Sequence, residues 1–434
     1  MHQIVIVGGG AGGLELATRL GDTLGKKNVA EITLIEKSRT HFWKPHLHEL
    51  AAGSVDLDIH ELDYLAQSYW HGFRYRIGEM TGIDREKQLV YVAPYMDDEG
   101  NEVTEARSFY YDTLVIAVGS QTNDFGTPGV GQHAVALEST AEADRFHRRL
   151  VNAFLRAHAQ STPLRPEQLQ VAIVGAGATG VELAAELHNA TRDLVAYNLD
   201  RIEPDKHINI HLVEASNRIL PALPTRVSDA AHKMLTKLNI QVHTGVAVAE
   251  VMENSVRLAN GVIIPAELVV WAAGVKAPHF LTQLGLQTNS INQLMVKQTL
   301  QTLDDPKIFA IGDCAACVWT THPGKFVPPR AQAAHQQSNH LIKELPKWIR
   351  GESLRDFHYR DFGSLVSLGE YTTVGNLMGN FAGGNLWVEG LFARYMYISL
   401  YKLHEMALHG FWKMALTTLS RFISRRTVPH VKLH

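Results

Sequence analysis

One pattern occurs twice along the chain and restricts the fold more than any other feature. Ile4-Val5-Ile6-Val7 runs into Gly8-Gly9-Gly10-Ala11-Gly12-Gly13 and then Leu14-Glu15-Leu16-Ala17. Val171-Ala172-Ile173-Val174 runs into Gly175-Ala176-Gly177-Ala178-Thr179-Gly180 and then Val181-Glu182-Leu183-Ala184. Each copy is a short apolar strand, a G-x-G-x-x-G turn and the start of an amphipathic helix. Each is followed by a second apolar strand that closes on an acid, Glu36 in the first case and Glu214 in the second. A lone glycine turn is weak evidence, since tight strand-to-helix turns are common. Two copies, each with the strand before, the helix after and the acid beyond, predict two dinucleotide-binding βαβ units. In that arrangement Gly8 and Gly175 permit the tight turn. Gly10 and Gly177 let the backbone approach a pyrophosphate, and Gly13 and Gly180 let helix and strand pack closely. The helix N-terminus offers free N–H groups and a partial positive charge to the phosphates, and Glu36 and Glu214 accept hydrogen bonds from a ribose diol.

The chain is long enough for both units. At roughly 100–200 residues per domain, 434 residues make two or three domains. Hydrophobic residues at 45% and charged residues at 20% exclude a wholly disordered, collagenous or coiled-coil chain. No uninterrupted apolar window reaches the roughly 20 residues that a transmembrane helix needs. The formal net charge of -3 is offset by 23 histidines, each about a quarter charged at pH 7, so global charge points to no nucleic-acid partner. Met1-His2-Gln3 leads directly into the first strand without a basic and apolar leader, so the bulk of the chain is expected in the cytoplasm. Cys314 and Cys317 are the only cysteines, which excludes a disulfide scaffold and fits a reducing compartment.

Between the two copies, the polar stretch from Arg156 to Gln170 carries Pro163 and Pro166 and is predicted to link the units. Asp97-Asp98-Glu99-Gly100-Asn101 reads as a hairpin turn or solvated loop. Past Trp348, Gly363, Gly369, Gly375 and Gly379 punctuate short apolar runs that read as strands, and from Leu391 onward the pattern is helical.

Two dinucleotide units in one chain imply two nucleotides held face to face, as in a flavoenzyme that takes hydride from a nicotinamide. Lys307-Ile308-Phe309-Ala310-Ile311 ends in Gly312-Asp313 and resembles the second FAD signature of two-dinucleotide-domain flavoproteins. The resemblance implies that Asp313 binds the ribityl chain and that a helix beginning at Cys314 points at the flavin. Thr113 to Val118, ending in Gly119-Ser120, and Val269 to Ala273, ending in Gly274, resemble the two crossover strands of those proteins. It further implies non-covalent FAD on the first motif and the nicotinamide nucleotide on the second. Glu214 favours NADH, because an acid there welcomes a ribose 2′-hydroxyl and repels a 2′-phosphate, although Arg218 lies four residues on. Cys314-Ala315-Ala316-Cys317 is a C-x-x-C, but two cysteines do not complete a zinc site, and neither a metal nor a catalytic thiol is assigned. His41, His46 and His48 have no carboxylate at fitting spacing and are likewise not taken as metal ligands.

A separate segment, Arg330-Ala331-Gln332-Ala333-Ala334-His335-Gln336, places Gln332 and Gln336 on one helix face, with Ala331 and Ala334 keeping that helix slim. By pattern alone such glutamines are a solvated face. The segment is similar to the A-Q-x-A-x-Q motif at the quinone site of the type II NADH:quinone oxidoreductases, and the resemblance extends over essentially the whole chain. It implies that Gln332 and Gln336 shape a quinone pocket beside the flavin, and that Glu182 lies near nicotinamide and flavin. It also implies that Trp43-Lys44-Pro45 lines FAD through Lys44. From the residues alone, Glu182 is equally a helix N-terminal acid favoured by the helix dipole.

The last stretch is read on its own chemistry. Leu408, Phe411, Trp412, Ala415, Leu416, Leu419, Phe422 and Ile423 trace one helical stripe. Residues 391–434 carry seven Lys or Arg against the single acid Glu405, a local charge of about +6. A basic amphipathic helix with aromatic residues on its apolar edge fits an interfacial anchor on an anionic membrane surface. A core-packing helix or a homodimer interface is the other reading of the same pattern.

These readings combine into an α/β chain with two Rossmann-like dinucleotide-binding domains and a C-terminal strand-and-helix domain. Residues 1–137 and 279–357 are expected to bind FAD, 138–278 to bind NADH, and 358–434 to anchor the protein peripherally at the cytoplasmic face of a bacterial inner membrane. The expected activity is NADH oxidation with a membrane quinone as acceptor and without proton pumping. The alternative is a soluble NAD(P)H-dependent reductase of a small redox protein.

Overall fold

A computed structural model describes residues 1–368, 372–378 and 385–389. Beyond these it describes positions 399, 402, 405, 406, 408, 410, 412, 414–416, 418, 419, 431 and 432. The principal elements in chain order are β1 (His2–Val7), α1 (Ala11–Leu20), β2 (Ala30–Glu36), α2 (Leu47–Ala52), α3 (Tyr64–His71), β3 (Arg74–Ile77) and β4 (Thr113–Ile116). They continue with β5 (Ala134–Ala136), α4 (Thr140–Ala159), β6 (Gln170–Val174), α5 (Ala178–Ala196), β7 (Asn209–Glu214), α6 (Thr225–Lys237), β8 (Gln241–Thr244) and β9 (Leu268–Trp271). The last are β10 (Ile308–Ala310), α7 (Ala331–Ile349), β11 (Gly363–Leu368), β12 (Thr372–Met378) and β13 (Asn385–Glu389).

The chain forms two compact units, Met1–Trp43, Glu61–Gln121 and Val275–Arg360 in one, and Lys44–His60, Thr122–Gly274 and Asp361–His434 in the other. Each unit holds a five-stranded sheet of parallel pairs. The order is β10-β4-β1-β2-β3 in the first and β5-β9-β6-β7-β8 in the second. In both, the glycine-motif strand sits at the centre with the acid-bearing strand on one side and the crossover strand on the other. A parallel sheet covered on both faces demands strands that are apolar throughout. That demand explains the solid runs Ile4–Val7, Leu114–Ile116, Val171–Val174 and Leu268–Trp271, all buried. At about 1.5–3 kcal/mol for each fully buried large side chain, these centres dominate the stability of each unit.

The compact units divide the chain differently from the limits at 137, 278 and 357 drawn on the sequence. Helix α2 packs on α4 and α5, burying Leu47, Leu50, Ala51 and Ala52. Residues 44–60 therefore belong with the second unit, and strand β11 packs on α5 within it. The stretch from Arg156 to Gln170 is not a linker between units. Helix α4 runs to Ala159, Gln160 and Gln168 exchange amide hydrogen bonds, and the Glu267 carboxylate holds the Leu169 N–H, so Gln168 and Leu169 are buried inside the second unit. The Asp97–Asn101 turn is a hairpin tip, tied by the Asn101 N–H to Asp97 Oδ1 at 2.7 Å.

Strands β11, β12 and β13 form an antiparallel sheet, as the glycine punctuation predicts. Much of the expected stripe after residue 400, including Phe411, Phe422 and Ile423, lies outside the described residues. What is described corrects the idea of one uninterrupted stripe. Gly410 has φ +77 and interrupts the helical run; its N–H bonds to the Met406 carbonyl and its own carbonyl accepts from Met414. Leu408, before the break, is buried, whereas Trp412, Leu416 and Leu419, after it, are 78%, 68% and 58% exposed. Farther on, Val431 is buried. The Lys432 N–H donates to Gly53 O at 3.1 Å, its carbonyl accepts from His147 Nε2 at 2.8 Å, and its ammonium pairs with Asp56.

Candidate functional site

The two glycine turns repeat one design. In the first unit Gly8 has φ +103, and a Cβ there would overlap the Ala117 carbonyl; a Cβ on Gly13 would overlap the Gly8 carbonyl. Those two glycines are required by the protein's own packing. Gly10 is different: it has an ordinary φ of −63, and a Cβ there meets nothing within 4 Å. It caps α1, whose first N–H groups have no side-chain cap, so the chain leaves an open, electropositive cradle at this point. The second unit matches it position for position. Gly175 abuts Ala273, Gly180 abuts Gly175, and Gly177, the uncapped start of α5, faces open space.

The acids are held in the same way in both units. The Gly9 N–H donates to Glu36 Oε2 at 2.6 Å and the Ser38 N–H to Oε1 at 3.1 Å. The Ala176 N–H donates to Glu214 Oε2 and the Ser216 N–H to Oε1, both at 2.8 Å. Each carboxylate is thus fixed beside the glycine turn with lone pairs to spare for a diol. Arg218 donates to the Pro221 carbonyl at 2.8 Å, so part of its guanidinium is already engaged.

The other expected FAD positions of the first unit are linked directly. Ser120 Oγ donates to Asp313 Oδ2 at 2.7 Å, next to Gly119 with φ +72 and Gly312 with φ +74. Two side chains unmarked by the sequence reading position this turn: Gln337 Oε1 accepts the Gly312 N–H at 2.7 Å and Gln293 donates to the Asp313 carbonyl at 2.8 Å. Tyr64 and His41 do the same for the first glycine turn, both donating to Gly9 O, at 2.7 and 3.0 Å. No helix begins at Cys314. A short 3-10 turn, Gly312–Cys314, passes into strand Ala315–Cys317, which pairs with Leu294–Val296 because all three of its residues are buried. Burial pushes both thiols up to about 12, so neither is a thiolate at neutral pH.

Helix α7 crosses α1 where Gly12 meets Ala334, the slim contact expected of its alanines. His335 Nδ1 bonds Glu15 Oε2 across the same interface at 2.6 Å. Gln332 is half-buried on α7. Gln336 gives its amide N–H to the Arg360 carbonyl at 2.8 Å and accepts the Arg360 N–H at 3.0 Å, so both ends of its side chain order the segment that follows the helix.

In the second unit Glu182 is buried on α5; its Oε1 accepts the Ser367 N–H at 3.0 Å and its Oε2 lies 3.7 Å from His48 Nδ1. Gly274, with φ +64, faces the Phe125 ring. Lys44 is exposed at the start of a 3-10 turn. His46 bonds Glu49 Oε2 at 2.7 Å, so contrary to the sequence expectation the histidines do have a carboxylate close by, Glu49, three residues on. Among the described residues no group of three or more such side chains has metal-binding geometry.

The description of the pyridine nucleotide-disulphide oxidoreductases matches residues 2–338. The type II NADH:quinone oxidoreductase of Haemophilus influenzae is 42% identical over the whole of both chains. The chain belongs to the type II NADH:quinone oxidoreductases. The corresponding enzyme of Staphylococcus epidermidis is 27% identical over 88% of this chain and 91% of its own. In three dimensions, NDH2 of Plasmodium falciparum, solved in complex with NADH, superposes with a TM-score of 0.83 at 21% identity, covering 99% of this chain and 100% of that one. As a type II NADH:quinone oxidoreductase the protein is an FAD flavoprotein that oxidises NADH and reduces quinone. The two cradles fit such groups: each has an open helix N-terminus for a pyrophosphate and an oriented acid for a ribose. No helix among the described residues is long and apolar enough to cross a membrane.

Proposed function

We propose that the first cradle (Gly8, Gly10, Gly13, Glu36), together with Lys44, Gly119, Ser120, Gly312 and Asp313, holds FAD. In the same reading Gly175, Gly177, Gly180, Glu214 and Gly274 hold NADH, and Glu182 lies at the nicotinamide end. The observation that carries it is the pair of glycines, Gly10 and Gly177, that the protein's own packing leaves free. The α1 and α5 N–H groups bind the phosphates, and Glu36 and Glu214, pinned by backbone N–H groups, accept ribose hydroxyls. Bound FAD supplies the two-electron chemistry; the side chains orient it and exclude water. Ser120 keeps Asp313 turned toward its ligand, and Gln337 keeps the Gly312 turn in place.

Gln332 lines the quinone site in this reading, while Gln336 shapes it through Arg360. Gln332→Trp is expected to slow reoxidation by quinone at least tenfold and to change NADH-driven flavin bleaching less than twofold. Stopped-flow absorbance separates the two half-reactions. Equal loss in both would remove Gln332 from the quinone site.

The exposed Trp412, Leu416 and Leu419, at positions i, i+4 and i+7 in a strongly basic segment, dock the protein on the cytoplasmic face of an anionic membrane. Truncation before Gly410 would also remove the anchored Val431 and Lys432, so W412S/L416S/L419S is the cleaner test. At about 1.5–3 kcal/mol for each apolar side chain transferred, the triple variant should bind anionic vesicles at least 100-fold more weakly in flotation and still hold FAD. Unchanged flotation would refute the anchor. A fall in solution mass by light scattering, with flotation unchanged, would make the same face a homodimer contact.

A further inference from the structure

Positive charge is concentrated in two parts of the chain. Residues 318–360 carry seven Lys or Arg against three acids, Glu344, Glu352 and Asp356, and residues 391–434 carry seven against one. The rest of the chain has 27 Lys or Arg against 40 acids, a charge of -13. The later part includes the proposed anchor around Trp412. The earlier part lies in the first unit and comprises α7, the turn before it and the segment after it. Two of its acids are already neutralised, Glu344 by Lys347 and Glu352 by Arg350, each at 2.6 Å. From Val318 to Arg330 there is no acid at all, and among the described residues the exposed Lys325 meets no carboxylate.

We propose that the hairpin Val318–Phe326 is a second membrane contact, which lies on an anionic bilayer surface beside the quinone helix α7. Val318 and Phe326 form an antiparallel bridge, so their side chains stand next to each other on one face. Cys317 and Val327, one step farther in, point the other way and are buried, with the Val327 N–H on the Cys317 carbonyl at 2.8 Å. In water, that alternation calls for polar residues on the outward face. The face instead presents Val318 and Phe326, 45% and 38% exposed, with Lys325 adjoining them.

The hairpin is built to hold that face in place, so little ordering is left to be done on binding. The Trp319 N–H donates to the Lys325 carbonyl and the His322 N–H to the Trp319 carbonyl, both at 2.9 Å, and the Lys325 N–H donates to the His322 carbonyl at 3.1 Å. Gly324, with φ +78, closes the turn. The Trp319 ring packs on His322 with centroids 3.8 Å apart and meets Tyr359 edge-on at 5.3 Å. At the base, Gln298 Nε2 donates to the Val318 carbonyl at 2.9 Å. Pro328 and Pro329, each with its φ fixed by the ring, then carry the chain into α7, so Phe326 precedes Gln332 by only six residues. A membrane quinone stays dissolved in the bilayer and reaches α7 only from a surface that faces lipid. An apolar pair flanked by an unpaired cation and by no acid suits such a surface: the side chains enter the headgroup boundary and the ammonium meets anionic headgroups. The inference rests on the placement of Gln332 at the quinone site.

The test uses full-chain holoenzyme and vesicles of phosphatidylcholine with or without phosphatidylglycerol. V318S/F326S should bind the mixed vesicles about tenfold more weakly in flotation, since two half-exposed side chains lose their apolar transfer. K325E should lose about tenfold on the mixed vesicles and nothing on the neutral ones. Both variants should reduce a long-chain quinone held in the mixed vesicles more slowly by a similar factor. Both should keep wild-type rates with a short-chain soluble quinone and in flavin bleaching by NADH, which also shows that they fold. A bimane label on Phe326→Cys gives a readout independent of activity. Burial pushes Cys314 and Cys317 up to about 12, so they stay unlabelled at neutral pH. The label's emission should shift to the blue on the mixed vesicles. Wild-type flotation of V318S/F326S together with an unshifted label would overturn the membrane contact. A lower mass of V318S/F326S in light scattering, with flotation unchanged, would assign the face to a second copy of the chain instead. A shifted label beside undiminished quinone reoxidation in Gln332→Trp would uphold the contact and remove the placement of Gln332 beneath it.

Discussion

Lowering the pH from 7 to 5 is expected to remove about 7 kcal/mol of folding stability, through four histidines the fold keeps buried and neutral. His41, His48, His188 and His211 are at most 9% exposed, and burial lowers each to about 4. For His188 and His211 the neighbouring Arg192 and His243 push the same way; for His41 and His48 the Gly9 carbonyl and Glu49 push back without prevailing. In the unfolded chain these rings return to about 6.5. Below that pH the unfolded state binds protons that the native state refuses, so stability falls as pH drops from about 6.5 toward 4. Each ring costs about 2 kcal/mol by pH 5, against a usual total of about 5–15 kcal/mol. His335 works in the opposite direction: its hydrogen bond to Glu15 raises it, so its contribution is present at low pH and lost as pH rises. Denaturant midpoints at pH 5, 6 and 7 check the sum. A flat profile would mean that these rings are hydrated or charged in the native state.

The second large effect separates glycines that look alike in the sequence. G13A should destabilise the protein by about 3 kcal/mol or more, because the new methyl meets the backbone carbonyl of Gly8 and neither helix nor strand can move away cheaply. G10A should leave the thermal unfolding of apoprotein within about 0.5 kcal/mol of wild type, since its φ suits alanine and the space is empty. Its cost appears only on adding FAD, where the methyl occupies the phosphate cradle; a 100-fold loss of affinity, about 2.7 kcal/mol, is the expected result. Fluorescence titration of apoprotein with FAD measures it. The same contrast is expected at Gly180 and Gly177 for NADH. Full FAD affinity in G10A would move the pyrophosphate away from α1.

What could be read from the sequence follows the range of the interactions concerned. The glycine motifs were legible because strand, turn, helix and acid lie within 33 residues in the first copy and 44 in the second, and each has its own local signal. The Gly312-Asp313 turn was legible for the same reason. Its supports were not, because Gln293 and Gln337 reach it from residues with no local reason to be singled out. The displaced helix at Cys314 is a case of context overriding pattern: a small-residue run after Gly-Asp reads as a helix start, but its burial beside Leu294–Val296 makes it a strand. Helix α2 belongs with α4 and α5 although it follows the first motif closely, because its apolar face finds its partners there. The Gly410 interruption could have been found, since a glycine inside an apolar stripe is itself a signal. The spacing of His46 and Glu49 was also available.

The attachment of Lys432 bears on how the protein is made. Its carbonyl closes onto His147, 285 residues earlier, and its N–H onto Gly53, earlier still. The second unit is thus stitched from three stretches, of which the first and last are made at opposite ends of synthesis. Contacts of such separation form late and slowly. The sheet of the first unit is complete once β10 has left the ribosome, whereas α2 must wait for the last stretch before its far end is tied. The second unit's own sheet, which ends with β9, is made before β10, so what stays open on a nascent chain is the tie between α2, α4 and the last stretch. The interval during which Trp412, Leu416 and Leu419 have emerged and Lys432 has not is when the unfinished protein is most exposed to proteases and chaperones.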